Sequence, residues 1–270
     1  MNQLTHYQAK WSLDNPHLIV ETNTSSVYRV QQSGVLVILK LLNQVGIHDE
    51  QRGARALHYY AGKGAAHLLA AAEDAHLLEY LDGDDLLPLV NTGHDDDAAH
   101  IIARVIKTLH QNNPKPIPED LHTLRRRFRS LFDYAPLASD PLFSHGAQIA
   151  EQLLANQHNQ VVLHGDIHHW NIKHSARGWL AFDPKGLYGE NTYDVANALL
   201  NPISLPQMVQ DEARLLRHIT IYADGLGIPR DRIIAFAFAH ACLSVSWSIE
   251  DGEDYDNGLI MARLLEKHIG

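Results

Sequence analysis

The sequence has one cysteine, fewer basic than acidic residues, and no long apolar run. Cys242 is the only cysteine among 270 residues, which excludes an intrachain disulfide, and its place in AFAFAHACL predicts a buried thiol. The chain has 22 lysines and arginines against 32 aspartates and glutamates, a net charge of -10. Nucleic-acid-binding proteins need a basic face to release counterions, so this balance argues against that class. It is compatible with a cationic small-molecule substrate.

Two signals of a membrane or secreted protein are also missing. The first residues, MNQLTHYQAKW, lack the basic-then-apolar pattern of a signal peptide. The most apolar stretch, residues 233–247, is too short to span a bilayer and contains His240, Ser244 and Ser246. We therefore predict a core helix there and a cytoplasmic protein that binds no membrane. From the charge balance we also expect no nucleic-acid partner, and no protein partner is predicted.

Short β-branched runs dominate the first part of the chain. Residues 17–22 and 26–30 flank the polar turn NTS, and residues 34–42 follow QQSG, which predicts three strands joined by hairpin turns. Residues 48–62 have helical spacing and end at Gly62. Residues 65–81 predict two further strands around the turn AED, although their alanines would also suit a helix.

Helical periodicity replaces this pattern after Gly83. It is present in residues 98–110, 119–134, 145–155, 211–222 and 231–250. Two strand-like pieces, residues 160–166 and 178–186, interrupt the helices. Strands followed by helices predict an α+β fold in two lobes, a small nucleotide-binding lobe of residues 1–81 and a larger helical lobe of residues 82–270.

The segment VVLHGDIHHWNI, residues 161–172, places histidine, aspartate and asparagine behind a short apolar run. Asp166 and Asn171 are five residues apart, and Asp183 follows twelve residues later at the end of WLAF. Carboxylate and amide oxygens at loop edges suit a hard cation. Asp166 can in addition accept a proton from a hydroxyl nucleophile.

Zinc chemistry is an alternative for this segment, because His164, His168 and His169 lie within six residues. A catalytic zinc usually takes ligands from a rigid element or several strands, whereas neighbouring histidines must point in different directions. A metallophosphoesterase would also need a Gly-Asn-His-Asp type element downstream. The nearest string, TGHDDD at residues 92–97, lacks the asparagine and lies upstream. Zinc is therefore the weaker hypothesis.

HGDIHHWNI followed by AFDPKG resembles the catalytic core of the aminoglycoside phosphotransferases, relatives of the protein kinases. The family motif is His-Gly-Asp-x-His-x-x-Asn and then an aspartate in a metal-binding loop. All its defined positions are present, namely His164, Gly165, Asp166, His168, Asn171 and Asp183. The spacing from aspartate to asparagine equals that of the kinase loop H-R-D-x-x-x-x-N. The strings FDPKGLYGENTYDVANALLNP, SWSIEDGED and GKGAAHLL resemble the branch with streptomycin and hydroxyurea phosphotransferases.

The resemblance implies a protein-kinase-like fold with ATP and Mg²⁺ as cofactors. It implies that Asp166 deprotonates the acceptor hydroxyl and that Asn171 and Asp183 hold Mg²⁺ against the ATP phosphates. The residues that would brace the catalytic loop are His164, His168 and Asp194. A helix N-cap alone would equally explain the last of these.

The resemblance also implies a nucleotide site in the first lobe. Lys40, at the end of VLVILK, would bind the α- and β-phosphates, with Glu50 as its carboxylate partner or the adjacent Asp49 instead. The hairpin ETNTSSVYRV lacks the Gly-x-Gly-x-x-Gly of protein kinases, so its hydroxyls would supply the contacts. The remaining predicted contacts are the side chains of Ser25 and Ser26 in the hairpin and the backbone groups of Glu79 and Leu81. The latter two lie in LLEYLDG, the segment predicted to be the hinge between the lobes.

Three further sets of charged residues remain. The acidic residues near the C-terminus and Lys185 each have two interpretations, and a set of arginines has no predicted role in catalysis. The acidic residues of SIEDGEDYD would meet guanidinium or ammonium groups of an aminoglycoside, or form a solvated turn. Lys185 would contact a phosphate or pair with Glu190. The arginines of residues 125–129 predict a solvated basic face. The acidic residues assigned to substrate are Glu250, Asp251, Glu253 and Asp254.

The predicted function is an ATP- and Mg²⁺-dependent transfer of a phosphoryl group to a hydroxyl of a small polar molecule. By resemblance this acceptor is a streptomycin-like aminoglycoside or hydroxyurea. A kinase of a sugar, choline or an amino alcohol is the first alternative, because fold does not decide substrate. A metallophosphoesterase and a nucleotide-binding pseudokinase are weaker. The pseudokinase is disfavoured because Lys40, Asp166, Asn171 and Asp183 are all present.

Overall fold

The computed structural model describes residues 2–111 and 113–270, except for the side chains of residues 48 and 49. It begins with helix α1 (Gln3–Trp11), which the sequence patterns did not predict, capped by the side chain of Asn2. An antiparallel sheet follows in the strand order β1-β2-β3-β5-β4. Its strands are β1 (Leu13–Glu21), β2 (Ser25–Gln32), β3 (Val35–Leu42), β4 (Leu68–Ala72) and β5 (Ala75–Glu79), with helix α2 (Gln44–Tyr60) between β3 and β4.

The second part of the chain is mainly helical. Its helices are α3 (Leu87–Asn91), α4 (Asp95–Leu109), α5 (Leu124–Arg127), α6 (Arg129–Tyr134), α7 (Pro141–Ala155), α8 (Tyr193–Leu199), α9 (Pro206–Val209), α10 (Glu212–Leu226), α11 (Arg230–Asp251) and α12 (Asp256–Glu266). Its short strands are β6 (His122–Thr123), β7 (Gln160–Leu163), β8 (Ile172–Ser175), β9 (Gly178–Ala181) and β10 (Leu187–Glu190). The strands form a β6-β10-β7 sheet and a β8-β9 hairpin.

Helix α11 is the core of the helical part. It has 22 residues and so extends beyond the apolar stretch 233–247, which makes it long and apolar enough to cross a membrane, contrary to the expectation from that stretch. However, 67% of its most apolar window is buried inside the molecule. It packs against α7, α8 and α12, and Cys242 on this helix is fully buried. The predictions of a core helix and a buried thiol are therefore confirmed.

The helix predicted over residues 119–134 is interrupted. Residues 122–123 pair with β10 as a parallel strand, and two short helices follow, separated at Phe128. The side chain of Thr123 caps α5 by accepting a hydrogen bond from Arg126 N. Leu124, Phe128 and Leu131 are buried, as their spacing predicts. The apolar spacing therefore marked the core face, while the ladder to β10 and the new cap decided the backbone.

Two glycines seven residues apart let α2 approach both functional loops. A Cβ at Gly46 would overlap the carbonyl oxygen of Thr24 in the β1-β2 turn. A Cβ at Gly53 would overlap the carbonyl oxygen of Pro184, next to Asp183. Glycine at these positions allows contact between helix and loop backbones that any side chain would prevent.

We expect Gly53→Ala to lower the free energy of unfolding by about 1–3 kcal/mol, because the added methyl group forces α2 away from Pro184. In an unhindered helix the same change would stabilise by about 0.5–1 kcal/mol, so the sign is diagnostic. Urea unfolding measures the difference. Gly225→Ala in α10 is the control, since a Cβ there would contact, among the described residues outside its own helix, the Ala103 methyl group alone, at 3.2 Å. Equal stability of Gly53→Ala and wild type would contradict the close approach.

Candidate active site

The catalytic-loop segment brings Asp166 and Asn171 together. The Asn171 side-chain nitrogen donates to the backbone oxygen of Asp166 at 2.9 Å and lies 3.4 Å from its carboxylate. The same carboxylate oxygen, Oδ2 of Asp166, lies 3.8 Å from the Lys185 ammonium. Glu190, the alternative partner for that lysine, is held by Arg232. The catalytic loop and the segment that carries Lys185 therefore place a carboxylate, an amide and an ammonium group close together.

Asp194 holds the backbone of this loop. Its carboxylate accepts hydrogen bonds from His164 N at 3.0 Å and Gly165 N at 2.7 Å, and lies 2.9 Å from the His110 ring. Burial favours the neutral acid, but these hydrogen bonds and the neighbouring histidines lower the pKa of Asp194. The N-cap residue of α8 is Thr192, so capping does not explain Asp194. Its carboxylate braces the loop.

The two motif histidines use their ring nitrogens within the loop. His164 accepts from Asp166 N at 3.3 Å and contacts the Phe182 carbonyl oxygen at 2.9 Å. His168 accepts from Trp170 N at 3.3 Å and so caps the 3-10 turn that ends at Asn171. Burial lowers the pKa of both rings, which favours the neutral form. These bonds suit bracing of the loop, and they occupy both ring nitrogens of His164 and Nδ1 of His168.

One group of side chains among the described residues has metal-ligand spacing, Asp95, Asp96 and His218. The first two belong to TGHDDD, the string nearest to the element that a metallophosphoesterase would need. Arg214 donates to both carboxylate oxygens of Asp95, at 2.6 and 3.0 Å. This guanidinium already supplies the positive charge that the cluster needs, so the phosphoesterase hypothesis gains no support there.

Asn171 and Asp183 flank the open end of the β8-β9 hairpin. Asn171 directly precedes β8, Asp183 follows β9, and Ile172 pairs with Ala181 at the end of the ladder. Phe182 N donates to Asn171 O at 3.0 Å, which extends the pairing toward Asp183. The two predicted metal ligands therefore come from facing chain segments.

The charges around Asp183 favour the ionised form of its carboxylate. Burial acts to raise its pKa, but the positive charges of Lys40 and Lys185 hold it at about 2. Its backbone is left-handed, with a φ of 60°. The carboxylate therefore carries its negative charge at neutral pH.

A cavity of about 530 Å³ lies between the five-stranded sheet and the β8-β9 hairpin. Its apolar walls include Val27, Ile38, Leu78 and Phe182. Charged and hydroxyl side chains line its other part, namely Thr22, Thr24, Ser25, Lys40, Glu50, Asp183 and Lys185. An apolar slot that continues into a polar region suits a flat heterocycle bearing charged groups.

Lys40 connects the sheet to the helical part. Its ammonium contacts Glu50 on α2 and Asp183 in the loop after β9, the latter at 2.5 Å. Burial acts to lower the pKa of Lys40, but Asp183 and Glu50 raise it above its ordinary value. Thr24 donates to the other oxygen of Glu50. Glu50 thus contacts the lysine, as predicted, while the side chain of Asp49 lies outside those described.

The remaining predicted nucleotide contacts differ in position. Glu79 and Leu81 line the cavity, and Glu79 N donates to His67 O at 2.9 Å. The Glu79 carboxylate is held by Arg177. Ser25 lines the cavity, whereas Ser26 does not, because successive strand residues face opposite sides.

The acidic residues assigned to substrate lie at the end of α11. Glu250 accepts a hydrogen bond from Ser130 on α6 at 2.9 Å. The other three, Asp251, Glu253 and Asp254, are exposed to solvent. None of the four lines the cavity between sheet and hairpin. They form an acidic patch beyond Trp247.

Arg127 corrects the prediction of a uniformly solvated basic face. Its guanidinium lies 4.2 Å from the Trp247 ring centroid, and its Nε donates to the Tyr193 hydroxyl at 3.1 Å. Arg125 instead pairs with Glu151 at the surface. The spacing of the arginines in the sequence did not show which of them faces the core. In the structure α5 directs Arg127 toward the core and Arg125 toward the solvent.

Asn197 is a site residue that sequence reasoning missed. Its side-chain nitrogen donates to a carboxylate oxygen of Asp166 at 2.9 Å. It lies in the string TYDVANALLNP, in which a role was predicted for Asp194 but none for Asn197. The three-residue spacing between Asp194 and Asn197 on a helix was the available signal, because such residues share a face.

Three buried histidines predict a loss of stability in mild acid. Burial lowers the pKa of His76 to about 4, and those of His169 and His240 to about 3. Unfolded histidine titrates near 6.5, so below that pH the unfolded state binds more protons and the folded state loses stability. We expect each histidine to contribute about 1.4 kcal/mol per pH unit below about pH 6.

Urea unfolding between pH 7.5 and 5 measures this slope. His169→Leu is the informative variant, because neither ring nitrogen of His169 has a hydrogen-bond partner among the described residues. Its slope is expected to be smaller than that of wild type by the contribution of one histidine. A stability that is constant or rises on acidification would contradict the prediction.

Known proteins with similar sequences and folds match nearly the whole chain. A sequence profile of aminoglycoside/hydroxyurea antibiotic resistance kinases matches residues 10–252. Streptomycin 3''-kinase of Klebsiella pneumoniae is 36% identical over 248 residues, which cover 90% of this chain and 91% of that protein. Hydroxyurea phosphotransferase of Kitasatospora aureofaciens is 28% identical over 239 residues, 83% of this chain and 65% of that protein.

The fold is shared with a thermostable mutant of an aminoglycoside phosphotransferase, solved in ternary complex with ADP and hygromycin B. The TM-score is 0.68 at 13% sequence identity, and the alignment covers 100% of this chain and 98% of that one. The predicted protein-kinase-like α+β fold in two lobes is therefore confirmed.

Proposed function

This chain belongs to the family of aminoglycoside and hydroxyurea antibiotic resistance kinases, and we propose that it transfers the γ-phosphoryl group of ATP to a hydroxyl of streptomycin. Family membership makes it a small-molecule phosphotransferase with an alcohol group as acceptor. The acceptor is proposed on one observation, the 36% identity to a streptomycin 3''-kinase over 90% of this chain. Hydroxyurea is the second candidate, because a hydroxyurea phosphotransferase is 28% identical to the chain.

Asp166 is the proposed catalytic base. A hydroxyl group is a weak nucleophile, so Asp166 accepts its proton while the hydroxyl oxygen bonds to the γ-phosphorus and the bond to the β-phosphate oxygen breaks. The products are the phosphate ester and ADP. Lys185, 3.8 Å from the Asp166 carboxylate, places a positive charge beside the transferred group.

Asn171 and Asp183 are the proposed Mg²⁺ ligands. The Asn171 side-chain nitrogen is used by Asp166, which leaves the amide oxygen for a cation, and Asp183 is ionised with a pKa of about 2. Oxygen donors of this kind are what Mg²⁺ prefers. When bound, Mg²⁺ neutralises negative charge on the phosphate groups.

Lys40 is the proposed ligand of the α- and β-phosphates, held in place by Glu50. The apolar part of the 530 Å³ cavity would receive adenine, with backbone groups of Glu79 and Leu81 at its edge. The boundary between lobes is proposed after Leu81, so that the hinge contacts the nucleotide. We propose the cytoplasm as the site of action, because ATP is supplied there.

The acidic patch at the end of α11 is the proposed binding surface for the cationic groups of the acceptor. It comprises the four residues Glu250, Asp251, Glu253 and Asp254. Trp247, one helical turn before Glu250, packs against Arg127, which lies 3.4 Å from the backbone oxygen of Gly165 in the catalytic loop. This continuity supports an acceptor that extends from Asp166 toward the patch.

Asp166→Asn is expected to lower kcat for streptomycin phosphorylation by about 10²–10⁴-fold, because the amide cannot accept the proton. The Kd for ATP should be unchanged, since nucleotide contacts are elsewhere. Mass spectrometry of the product and nucleotide titration measure the two quantities. Glu151→Gln is the control, a carboxylate-to-amide change in a surface ion pair with Arg125. Undiminished turnover by Asp166→Asn would reject it as the base.

Replacing Asp251 by Asn together with Glu253 by Gln is expected to raise KM for streptomycin by about twofold to fivefold. Exposed ion pairs contribute roughly 0.2–1 kcal/mol each, and two pairs in the lower half of this range, about 0.2–0.5 kcal/mol each, give this modest size. KM for ATP should not change. If streptomycin KM also stays the same at low ionic strength, these carboxylates form only a solvated turn.

A further inference from the structure

A buried chain of hydrogen bonds ends on the carboxylate of Asp166. Asn197 on α8 donates to one carboxylate oxygen of Asp166 at 2.9 Å. The amide oxygen of Asn197 in turn lies 3.2 Å from the Asn201 side-chain nitrogen and 3.4 Å from His240 Nε2. The side chains of Asn201 and His240 therefore fix the orientation of the Asn197 amide from the side opposite Asp166.

The chain continues through α11 to α5. His240 Nδ1 lies 3.1 Å from the Tyr193 hydroxyl oxygen, and Arg127 Nε lies 3.1 Å from the same oxygen. His240 and Tyr193 are 2% and 1% exposed, so water does not compete for these bonds. Edge-on contacts of the Tyr193 ring with Phe128 and Phe236 restrict its position further.

The charges at the two ends determine every donor and acceptor in the chain. A guanidinium has only donors, so the Tyr193 oxygen accepts from Arg127 and its proton goes to His240 Nδ1. The His240 proton must then be on Nε2, which donates to the Asn197 oxygen. The Asn197 NH₂ group is left to face Asp166. Burial, with Arg127 as a further cause, lowers the pKa of His240 to about 3, so the ring stays neutral as this pattern requires.

We propose that Asn197 is a positioning residue for phosphoryl transfer, oriented by the Arg127-Tyr193-His240 chain. It holds Oδ1 of Asp166, while Oδ2, which lies 3.4 Å from the Asn171 side-chain nitrogen, keeps a lone pair for the proton of the acceptor hydroxyl. The proposal rests on the proposed role of Asp166 as base. Without Asn197 the carboxylate rotates, because His168 Nε2 and Lys185 Nζ, each 3.8 Å from one of its oxygens, compete for it.

Asn197→Ala tests the first step. Misplacement of the base is expected to lower kcat by about 10- to 100-fold, while KM for ATP changes by less than about twofold. A structural role alone would lower thermal stability and active fraction without this split. Ser246→Ala is the control, since Ser246 is fully buried on α11 and, among the residues that the structure describes, its hydroxyl bonds to the backbone oxygen of Cys242 alone.

A pair of substitutions at His240 tests the direction of the chain. In His240→Gln the longer amide reaches the position of Nε2 and keeps a donor for Asn197. In His240→Asn the shorter amide reaches only the position of Nδ1 and loses that donor. We expect kcat to stay within about threefold of wild type for glutamine and to fall about 10-fold or more for asparagine. Equal kcat values at equal thermal stability would overturn the orienting role of His240.

Hydrolysis of ATP without an acceptor separates this proposal from the choice of streptomycin, because water then takes the place of the alcohol. If wild type does not phosphorylate streptomycin but Asn197→Ala still slows ATP hydrolysis, the acceptor is wrong and the positioning role stands. If Asn197→Ala and wild type have the same kcat in streptomycin transfer, or in hydrolysis where streptomycin is not a substrate, the positioning role is wrong.

Discussion

The geometry of the site depends on the hydrogen bonds between the Asp194 carboxylate and the backbone of the catalytic loop. This carboxylate is a fully buried charge, and burying a charge is costly unless hydrogen bonds compensate for it. Here the compensation comes from His110 and from the backbone N–H groups of His164 and Gly165. The same bonds that stabilise the charge therefore fix the loop that carries Asp166. Gly165 takes the left-handed conformation this requires, at a φ of 79°.

Two ion-paired contacts join the sheet to the helical part. Lys40 on β3 contacts Asp183, and Arg177 in the β8-β9 turn donates to Glu79 at the end of β5. Arg177 also donates to the backbone oxygens of residues 62 and 65. The β8-β9 hairpin thus carries one proposed metal ligand on each side of its open end and is tied to the sheet at its turn.

The local parts of the site were predictable because their chemistry is encoded at short spacing. Asp166 and Asn171 are five residues apart, and one loop is enough to bring them into contact. The strands of the first lobe were also predictable, since β-branched runs between polar turns have few alternative structures. The helix over residues 119–134 failed for the opposite reason. Its hydrophobic spacing is real, but a parallel pairing with β10, more than sixty residues away, replaced the first turns.

The sequence alone determined the enzyme class, because the segment from His164 to Asp183 matches every defined position of the motif by which it resembles the aminoglycoside phosphotransferases. Only the tertiary structure decided which side chains support those groups. Arg127 looked like its solvated neighbours, and Asn197 and His240 looked like ordinary helix residues, yet folding brings them into one line behind Asp166. The physical reason is that a hydrogen bond depends on distance and direction in space, and α5, α8 and α11 acquire these only when they pack around a common core.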